Sequence, residues 1–143
     1  MPILEKDDVV LDYLETGQGT TVILIHSIVS GNRQWKTLME DLGRDFRVLA
    51  PNLRGYGKTS SWLGERTLNL SDQVQLIEPL IETSEQKVYL VGHSYGGSVA
   101  MKAAMKAARE AGLAMGCPAC LGKHRPHTCG RQRQPKQWCR RRP

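Results

Sequence analysis

Short apolar runs recur along the chain, separated by longer segments in which polar residues predominate. Residues 9–15 (VVLDYLE) partly alternate between apolar and polar positions, which predicts a half-exposed strand. Residues 21–25 (TVILI) are unbroken and rich in β-branched side chains, as in a strand that is buried on both faces. Two further runs, at 46–50 (FRVLA) and 87–91 (KVYLV), predict two more strands.

Helical patterns lie between these predicted strands. In residues 33–43 the apolar side chains recur at i, i+3, i+4 and i+7, which predicts one amphipathic face that ends at Gly43. This face consists of Trp35, Leu38, Met39 and Leu42. A second helix is predicted from a cap at Ser71 to about Thr83, and Pro79 within it is expected to kink or shorten the helix.

The last helical pattern runs from Tyr95 to Ala111, where the sequence is rich in alanine with Lys and Arg at intervals. Gly112 suits the C-terminal cap of this helix. Because predicted strands alternate with predicted helices, the expected fold class is α/β, with a mostly parallel sheet and flanking helices.

Charge and cysteine content change abruptly at Gly112. All 14 acidic residues precede this glycine, whereas eight of the 20 Lys and Arg residues follow it, so the net charge of +6 comes from the C-terminal segment. All four cysteines also follow Gly112. We therefore predict residues 1–112 as the folded part and residues 113–143 as a basic, Cys- and Pro-rich tail that is disordered or out of frame.

The N-terminus and the apolar runs predict where the protein resides. The chain begins MPILEKDDVV, with acidic residues and no long apolar stretch, which is unlike a secretory signal. The longest apolar run, Val22–Ile25, is too short to cross a bilayer. These features predict a soluble, cytoplasmic protein without membrane contact.

The pentapeptide Gly92-His93-Ser94-Tyr95-Gly96 matches the pattern G-x-S-x-G between a predicted strand and a predicted helix. Such a turn lifts the serine hydroxyl above the sheet, and its glycines avoid collisions between neighbouring backbone segments. The Tyr95 N–H would lie at a helix N-terminus, where it could bind an oxyanion. The pattern predicts Ser94 as a nucleophile; a turn that merely needs glycines is the structural alternative.

Residues 3–111 resemble the N-terminal half of an α/β-hydrolase, both in this motif and in the stretches VILIHSIVSGNRQW and VLAPNLRGYGKTS. The first stretch resembles the strand and His-Gly oxyanion loop of that family. The resemblance implies that His26 opens the loop and that the Ile28 N–H is the second oxyanion donor, with the Ser27 N–H next in line. Ser27 stands where many members have glycine.

The second stretch resembles the family loop D-x-R-G-x-G-x-S, with Asn52 where aspartate is common. Arg54, Gly55 and Gly57 are interpreted as residues that shape this loop. The resemblance implies acyl transfer to water on a small ester-like substrate, without a cofactor or a metal. Ester, epoxide, C–C bond and lactone hydrolysis all stay open as reactions of such a family member. A serine nucleophile argues against epoxide and halide chemistry, for which the family uses aspartate.

The family order places an acid and then a histidine after the serine. Downstream of Ser94 the carboxylate is Glu110, and the histidines are His124 and His127 in a segment without a predicted element. His93 is expected to pack beside the turn. Three further carboxylates are expected on helix or loop surfaces: Asp41, Asp45 and Asp72. We therefore expect an incomplete hydrolase, truncated after the serine turn, that is weakly active or inactive.

Three interpretations of residues 113–143 stay open. The one that we favour is out-of-frame translation after a frameshift near Gly112. The second is a zinc site, with ligands from Cys117, Cys120, His124, His127 and Cys129. The third is a basic nucleic-acid-binding arm with Trp138 as a stacking residue, or simply a solvated tail. The alternative function is thus a non-catalytic binding protein, although neither metal nor nucleic acid is the expected partner.

In the family sheet the strand before the serine is central. If the chain stops at Pro143, Val88, Leu90 and Val91 would lie on an unpaired apolar edge. We therefore expect marginal stability, and an oligomer or aggregate that forms through this edge.

Overall fold

A mixed five-stranded sheet with the strand order β1-β2-β4-β3-β5 organises the fold. The computed structural model describes residues 2–6, 9–84 and 87–111. The strands are β1 (Ile3–Lys6), β2 (Val9–Thr16), β3 (Thr21–Ile25), β4 (Arg47–Pro51) and β5 (Val88–Gly92). The α-helices are α1 (Lys36–Leu42), α2 (Leu70–Glu82) and α3 (Tyr95–Glu110), and a 3₁₀ turn at Asn32–Trp35 precedes α1.

Strand β3 pairs in parallel with β4 on one side and with β5 on the other. Strand β2 is antiparallel to both β1 and β4. The predicted α/β class is confirmed, and the sheet is mixed because the N-terminal hairpin adds two antiparallel strands to the parallel half. Strand β1 is not predicted from the sequence, because its four residues, Ile-Leu-Glu-Lys, are too few and do not alternate between apolar and polar positions.

The core has two parts, one on each face of the sheet. All five residues of β3 are buried, as its unbroken apolar run predicts. Ile23 and Ile25 pack with residues of α2 and α3, whereas Val22 and Leu24 pack with Met39 of α1 on the opposite face. Each such side chain contributes about 1.5–3 kcal/mol when it is fully buried. The double burial makes β3 the element on which both helical layers rest.

The first predicted helix differs from the structure in its start and in its buried face. The chain forms the 3₁₀ turn before α1, and Met39 is the buried residue of α1. Leu38 is exposed, although its spacing predicts a core position. The chain has three residues per turn up to Trp35 and 3.6 residues per turn in α1. The i, i+3 spacing counted from Trp35 therefore does not predict which side of α1 is buried.

Helix α2 begins one residue before the predicted cap. Asn69, and not Ser71, is the N-cap: its side-chain oxygen accepts hydrogen bonds from the N–H groups of Ser71 (2.8 Å) and Asp72 (3.2 Å). Asp72 in turn accepts from the Asn69 N–H at 2.8 Å, which completes a capping box. The helix continues through Pro79 to Glu82, so the expected shortening was wrong.

Asp72 is buried, whereas the sequence pattern predicts a position on the surface. The carboxylate is buried and takes two hydrogen bonds from the Arg66 guanidinium, at 2.5 and 2.8 Å. These bonds are the main cause that lowers the pKa of Asp72 to about 2. A carboxylate can be buried when it caps a helix and pairs with an arginine. The positions of polar and apolar residues in the sequence do not show these two interactions.

Several predictions lie outside the described residues. They include the cap at Gly112, the whole of the tail at 113–143 and its Cys and His residues. In the described ranges no cluster of His, Cys, Asp or Glu is suited to hold a metal ion. Nor does any helix in these ranges have the length and apolarity needed to cross a membrane.

Candidate active site

Ser94 occupies a sharp turn between β5 and α3. Its backbone has φ 53° and ψ −116°, and it is the single non-glycine residue with positive φ in the described part of the chain. L-residues rarely adopt this conformation, which costs about 1–3 kcal/mol and persists only where the surroundings enforce it. The strain lies at the residue that the sequence pattern predicts as the nucleophile.

The two glycines of the motif allow the turn to pack against the sheet. A Cβ on Gly96 would lie 2.2 Å from the carbonyl oxygen of Ile25, and a Cβ on Gly92 would lie 2.3 Å from the Gly96 carbonyl oxygen. Both contacts involve backbone atoms, which cannot rotate away. The His93 N–H donates to the Ile25 carbonyl at 3.1 Å and so ties the turn to β3.

Tyr95 is the first residue of α3, and no described residue accepts a hydrogen bond from its N–H. The next amides are used, since Gly96 donates to the His93 carbonyl and Gly97 to the Ser94 carbonyl, each at 2.9 Å. An unpaired N–H at the N-terminus of a helix attracts negative charge. The structure thus leaves one donor free beside Ser94.

His26 lies buried at the start of the loop after β3 and joins two loops. Its Nε2 accepts a hydrogen bond from the Leu53 N–H at 3.0 Å, and its Nδ1 lies 2.7 Å from the Ser27 carbonyl oxygen. With Nε2 as an acceptor, the proton belongs on Nδ1, which donates to the Ser27 carbonyl; the Gly31 N–H, 3.2 Å from Nδ1, is then a close neighbour and not a donor to it. The ring of Tyr56 packs edge-on against the imidazole at 4.6 Å. His26 therefore holds the loop and does not point its nitrogens at Ser94.

The two candidate donors in this loop differ in their surroundings. The Ser27 N–H donates to Oε1 of Gln34 at 3.2 Å, and the Ser27 hydroxyl bonds with the Ser30 hydroxyl at 2.7 Å. No described residue accepts from the Ile28 N–H, and Ile28 is exposed. The free amide is therefore that of Ile28, while Ser27 is engaged within its own loop.

Gln34 is a residue of this region that the sequence analysis missed. Besides contacting Ser27, its Nε2 lies 3.2 Å from Nδ1 of His93, the residue before Ser94. The side chain thus connects the loop after β3 with the serine turn. His93 packs beside the turn through this contact and is exposed. A single polar residue at the start of a predicted amphipathic helix gives no signal of such a bridge.

No described histidine or carboxylate hydrogen-bonds to the Ser94 hydroxyl. A buried carboxylate lies in β2: Oδ2 of Asp12 accepts hydrogen bonds from Asn52 Nδ2 at 3.1 Å and from the Lys58 N–H at 2.8 Å. Asn52 Oδ1 accepts from the Asn32 N–H at 2.9 Å. This network links β2, β4 and the loop after β3, and it holds the loops without reaching the serine.

The burial of His26 has a consequence for stability at low pH. Desolvation lowers the pKa of His26, so the unfolded chain binds this proton before the folded chain does. Stability is therefore lost as the pH falls below the unfolded value of about 6.5, by up to about 1.4 kcal/mol per pH unit. Urea unfolding followed between neutral and mildly acid pH measures this slope. The variant His26→Gln should be less stable at neutral pH, and its free energy of unfolding should fall less steeply as the pH drops. If that pH dependence equals the one of wild type, His26 is not its source.

Comparisons with known proteins bear on the family and on the fold. Residues 20–115 match the family model of the alpha/beta hydrolase fold. A soluble epoxide hydrolase of Corynebacterium sp. (strain C12) is 32% identical over 93 residues, which are 63% of this chain and 31% of the relative. A pimeloyl-[acyl-carrier protein] methyl ester esterase of Aliivibrio fischeri (strain ATCC 700601 / ES114) is 29% identical over 89 residues, which are 62% of this chain and 32% of the relative.

A solved structure shows the same architecture. The epoxide hydrolase of Bacillus megaterium in complex with an inhibitor matches with a TM-score of 0.67 and 24% identity, over 73% of this chain and 37% of that chain. At this identity the likeness concerns the fold alone. The chain spans about a third of the length of the curated relatives that it matches. On the strength of the family match, which extends over residues 20–115, this chain belongs to the α/β hydrolase fold family.

Proposed function

We propose that this chain is a hydrolase of the serine-nucleophile type that acts on esters or related acyl compounds, with Ser94 as the nucleophile. The observation that carries the proposal is the strained backbone of Ser94 at the turn between β5 and α3. The strain costs stability, and the exposed side chain of Ser94 makes no buried contact that would offset it. A conformation of this kind is expected where the hydroxyl must be presented to a substrate.

In the proposed reaction the Ser94 hydroxyl attacks the carbonyl carbon of a small ester, and the carbonyl oxygen becomes an oxyanion. The N–H groups of Tyr95 and Ile28 donate hydrogen bonds to this oxyanion, and each is without an acceptor among the described residues. Ser27 is the second candidate for the loop donor, but its N–H already bonds to Gln34. Gly92, Gly96, His93 and His26 keep the turn and the loop in position.

The proton of Ser94 needs a base, and the described residues bring none to the hydroxyl. An unassisted serine is a weak nucleophile at neutral pH, although oxyanion donors alone leave some rate. We therefore expect this chain to hydrolyse esters slowly. The reaction requires no metal and no cofactor, since water completes the transfer.

The chemistry of serine favours an ester over an epoxide as the substrate. The relatives include an epoxide hydrolase and a methyl ester esterase. Attack of a hydroxyl on an epoxide would leave an ether on the enzyme, which water does not cleave readily. Attack on an ester breaks the bond to the alcohol, which leaves with a proton, and gives an acyl-serine that water hydrolyses to the free acid and serine. A carboxylate nucleophile would be needed for epoxide turnover, and this turn carries serine.

The test is hydrolysis of p-nitrophenyl acetate by the chain and by two variants. Ser94→Ala should abolish the protein-dependent rate, whereas Ser98→Ala, which removes an exposed serine of the same helix, should keep it. Because deacylation needs a base that the described residues do not bring to Ser94, the acetyl group should accumulate on the peptide that contains Ser94, as seen by mass spectrometry. An equal rate in wild type and Ser94→Ala, without acetylation of this peptide, would refute the proposal.

A further inference from the structure

Strand β5 is an edge of the sheet within the described part of the chain. It pairs with β3 on one side, and no described strand lies on its other side. The N–H of His93 donates to Ile25 of β3, and peptide groups alternate in direction along a strand. The peptide groups of Tyr89 and Val91 therefore point toward β3, whereas those of Val88, Leu90 and Gly92 point outward, at the edge that no described strand covers.

The surfaces beside this edge are apolar on both faces of the sheet. On one face, Tyr89 and Val91 are 45% and 39% exposed. On the other face, a groove of about 970 Å³ lies between β5 and the small side chains of α3. Its lining includes one cation, Lys87, and no carboxylate. Edge strands of soluble proteins usually carry charged residues or proline that prevent pairing, and β5 carries neither.

We propose that this edge binds a second copy of the same chain, whose β5 pairs antiparallel with the first across a two-fold axis at Leu90. The side chains of β5 are self-complementary about this position. Leu90 lies opposite Leu90, Val88 opposite Gly92, and Tyr89 opposite Val91, so that every pair is apolar or glycine. The exposed Tyr89 and Val91 of the two copies then cover each other.

The hydrogen bonds of the backbone and the charge of Lys87 both favour the antiparallel register that is centred on Leu90. Centring on Leu90 pairs every outward peptide group of β5, because Val88 and Gly92 exchange hydrogen bonds across the axis. A shift in either direction leaves one of these outward groups unpaired. The two Lys87 ammonium groups lie at opposite ends of the paired strands, roughly 20 Å apart, where salt screens them. A parallel arrangement would instead place the two Lys87 residues side by side. The result is a closed dimer with one continuous sheet.

Hydrogen exchange tests the register directly. The full chain is studied with a reductant, so that its cysteines do not link the copies, at low and at high protein concentration. The amides of Val88, Leu90 and Gly92 should gain protection as the concentration rises, while those of Tyr89 and Val91 should be protected at both. Protection of the outward amides in a monomer, independent of concentration, would mean that the chain covers its own edge and would overturn the proposal.

Sedimentation velocity on two variants tests the surface. The double variant Tyr89→Lys, Val91→Lys places lysine opposite lysine across the axis, and it should sediment as a folded monomer where wild type is a dimer. The control Leu63→Lys changes an apolar residue that is 93% exposed in a loop, and it should remain a dimer. A monomeric wild type, an open-ended series of larger species, or a dimer that survives the double substitution would each overturn the proposal.

Discussion

Replacing Gly96 with alanine should lower the free energy of unfolding by at least about 3 kcal/mol, because the new Cβ would lie 2.2 Å from the Ile25 carbonyl oxygen and 2.6 Å from that of His26. Both atoms belong to the backbone of the central strand and the loop that follows it. The clash cannot be relieved by a side-chain rotation, so α3 or β3 must move. Urea unfolding followed by circular dichroism measures the loss.

Gly97→Ala is the matched control for this substitution. Gly97 is the next residue of α3, and its Cβ would meet nothing closer than the Gly92 carbonyl oxygen at 3.4 Å, an ordinary contact. Alanine is also favoured over glycine within a helix by about 1 kcal/mol. This variant should be as stable as wild type or slightly more so. Equal stability of the Gly96→Ala and Gly97→Ala proteins would show that α3 does not pack on β3 as described.

The second large effect is expected for Asn52→Asp, although aspartate is the common residue of the related family loop. Asn52 donates its Nδ2 hydrogens to the buried Asp12 carboxylate at 3.1 Å. Aspartate at this position would place two carboxyl groups in contact where both side chains are buried. One group must then hold a proton, or the two charges repel each other. The expected loss at neutral pH is about 3 kcal/mol.

The pH dependence of this loss has a definite sign. A shared proton means that the pKa of the carboxyl pair in the folded variant lies above the value of about 4 in the unfolded chain. The folded variant then binds more protons, so its deficit relative to wild type should shrink as the pH falls from neutral toward about 4. Parallel urea titrations of the two proteins measure this difference.

Asn69→Asp makes the same chemical change at a different kind of position. Asn69 caps α2 with its side-chain oxygen, and aspartate caps a helix equally well. This control should unfold within about 0.5 kcal/mol of wild type at neutral pH. If Asn52→Asp were no less stable than Asn69→Asp, the direct contact between Asn52 and Asp12 would be refuted.

The sequence predicts those elements whose conformation depends mainly on neighbouring residues. The unbroken β-branched run of β3 and the strand-glycine-serine-glycine-helix order around Ser94 each specify a conformation within a few residues. For the same reason the free N–H of Tyr95 follows from its place at a helix start. These features are present in the structure at the residues where the pattern predicts them.

The features that the sequence analysis missed depend on contacts between distant segments. Asp12 meets Asn52 across 40 positions, and Gln34 meets His93 across 59. Asp72 is buried because Arg66 and the cap of α2 pair with it, which its surface-like pattern conceals. Polar residues in such networks look like solvated ones in the sequence. Only the fold reveals which of them share a hydrogen bond.

The order of the strands also has a consequence for how the chain folds. Four of the five strands, β1 to β4, lie within residues 3–51 and pair with one another, whereas β5 is separated from them by the long loop and α2. Closing that large loop is slow compared with forming the hairpin and its neighbours. The strained turn at Ser94 depends on this last pairing, so it should form late and open early. Ligand contacts at the turn would then protect the chain by slowing its unfolding, with little influence on the rate at which it folds.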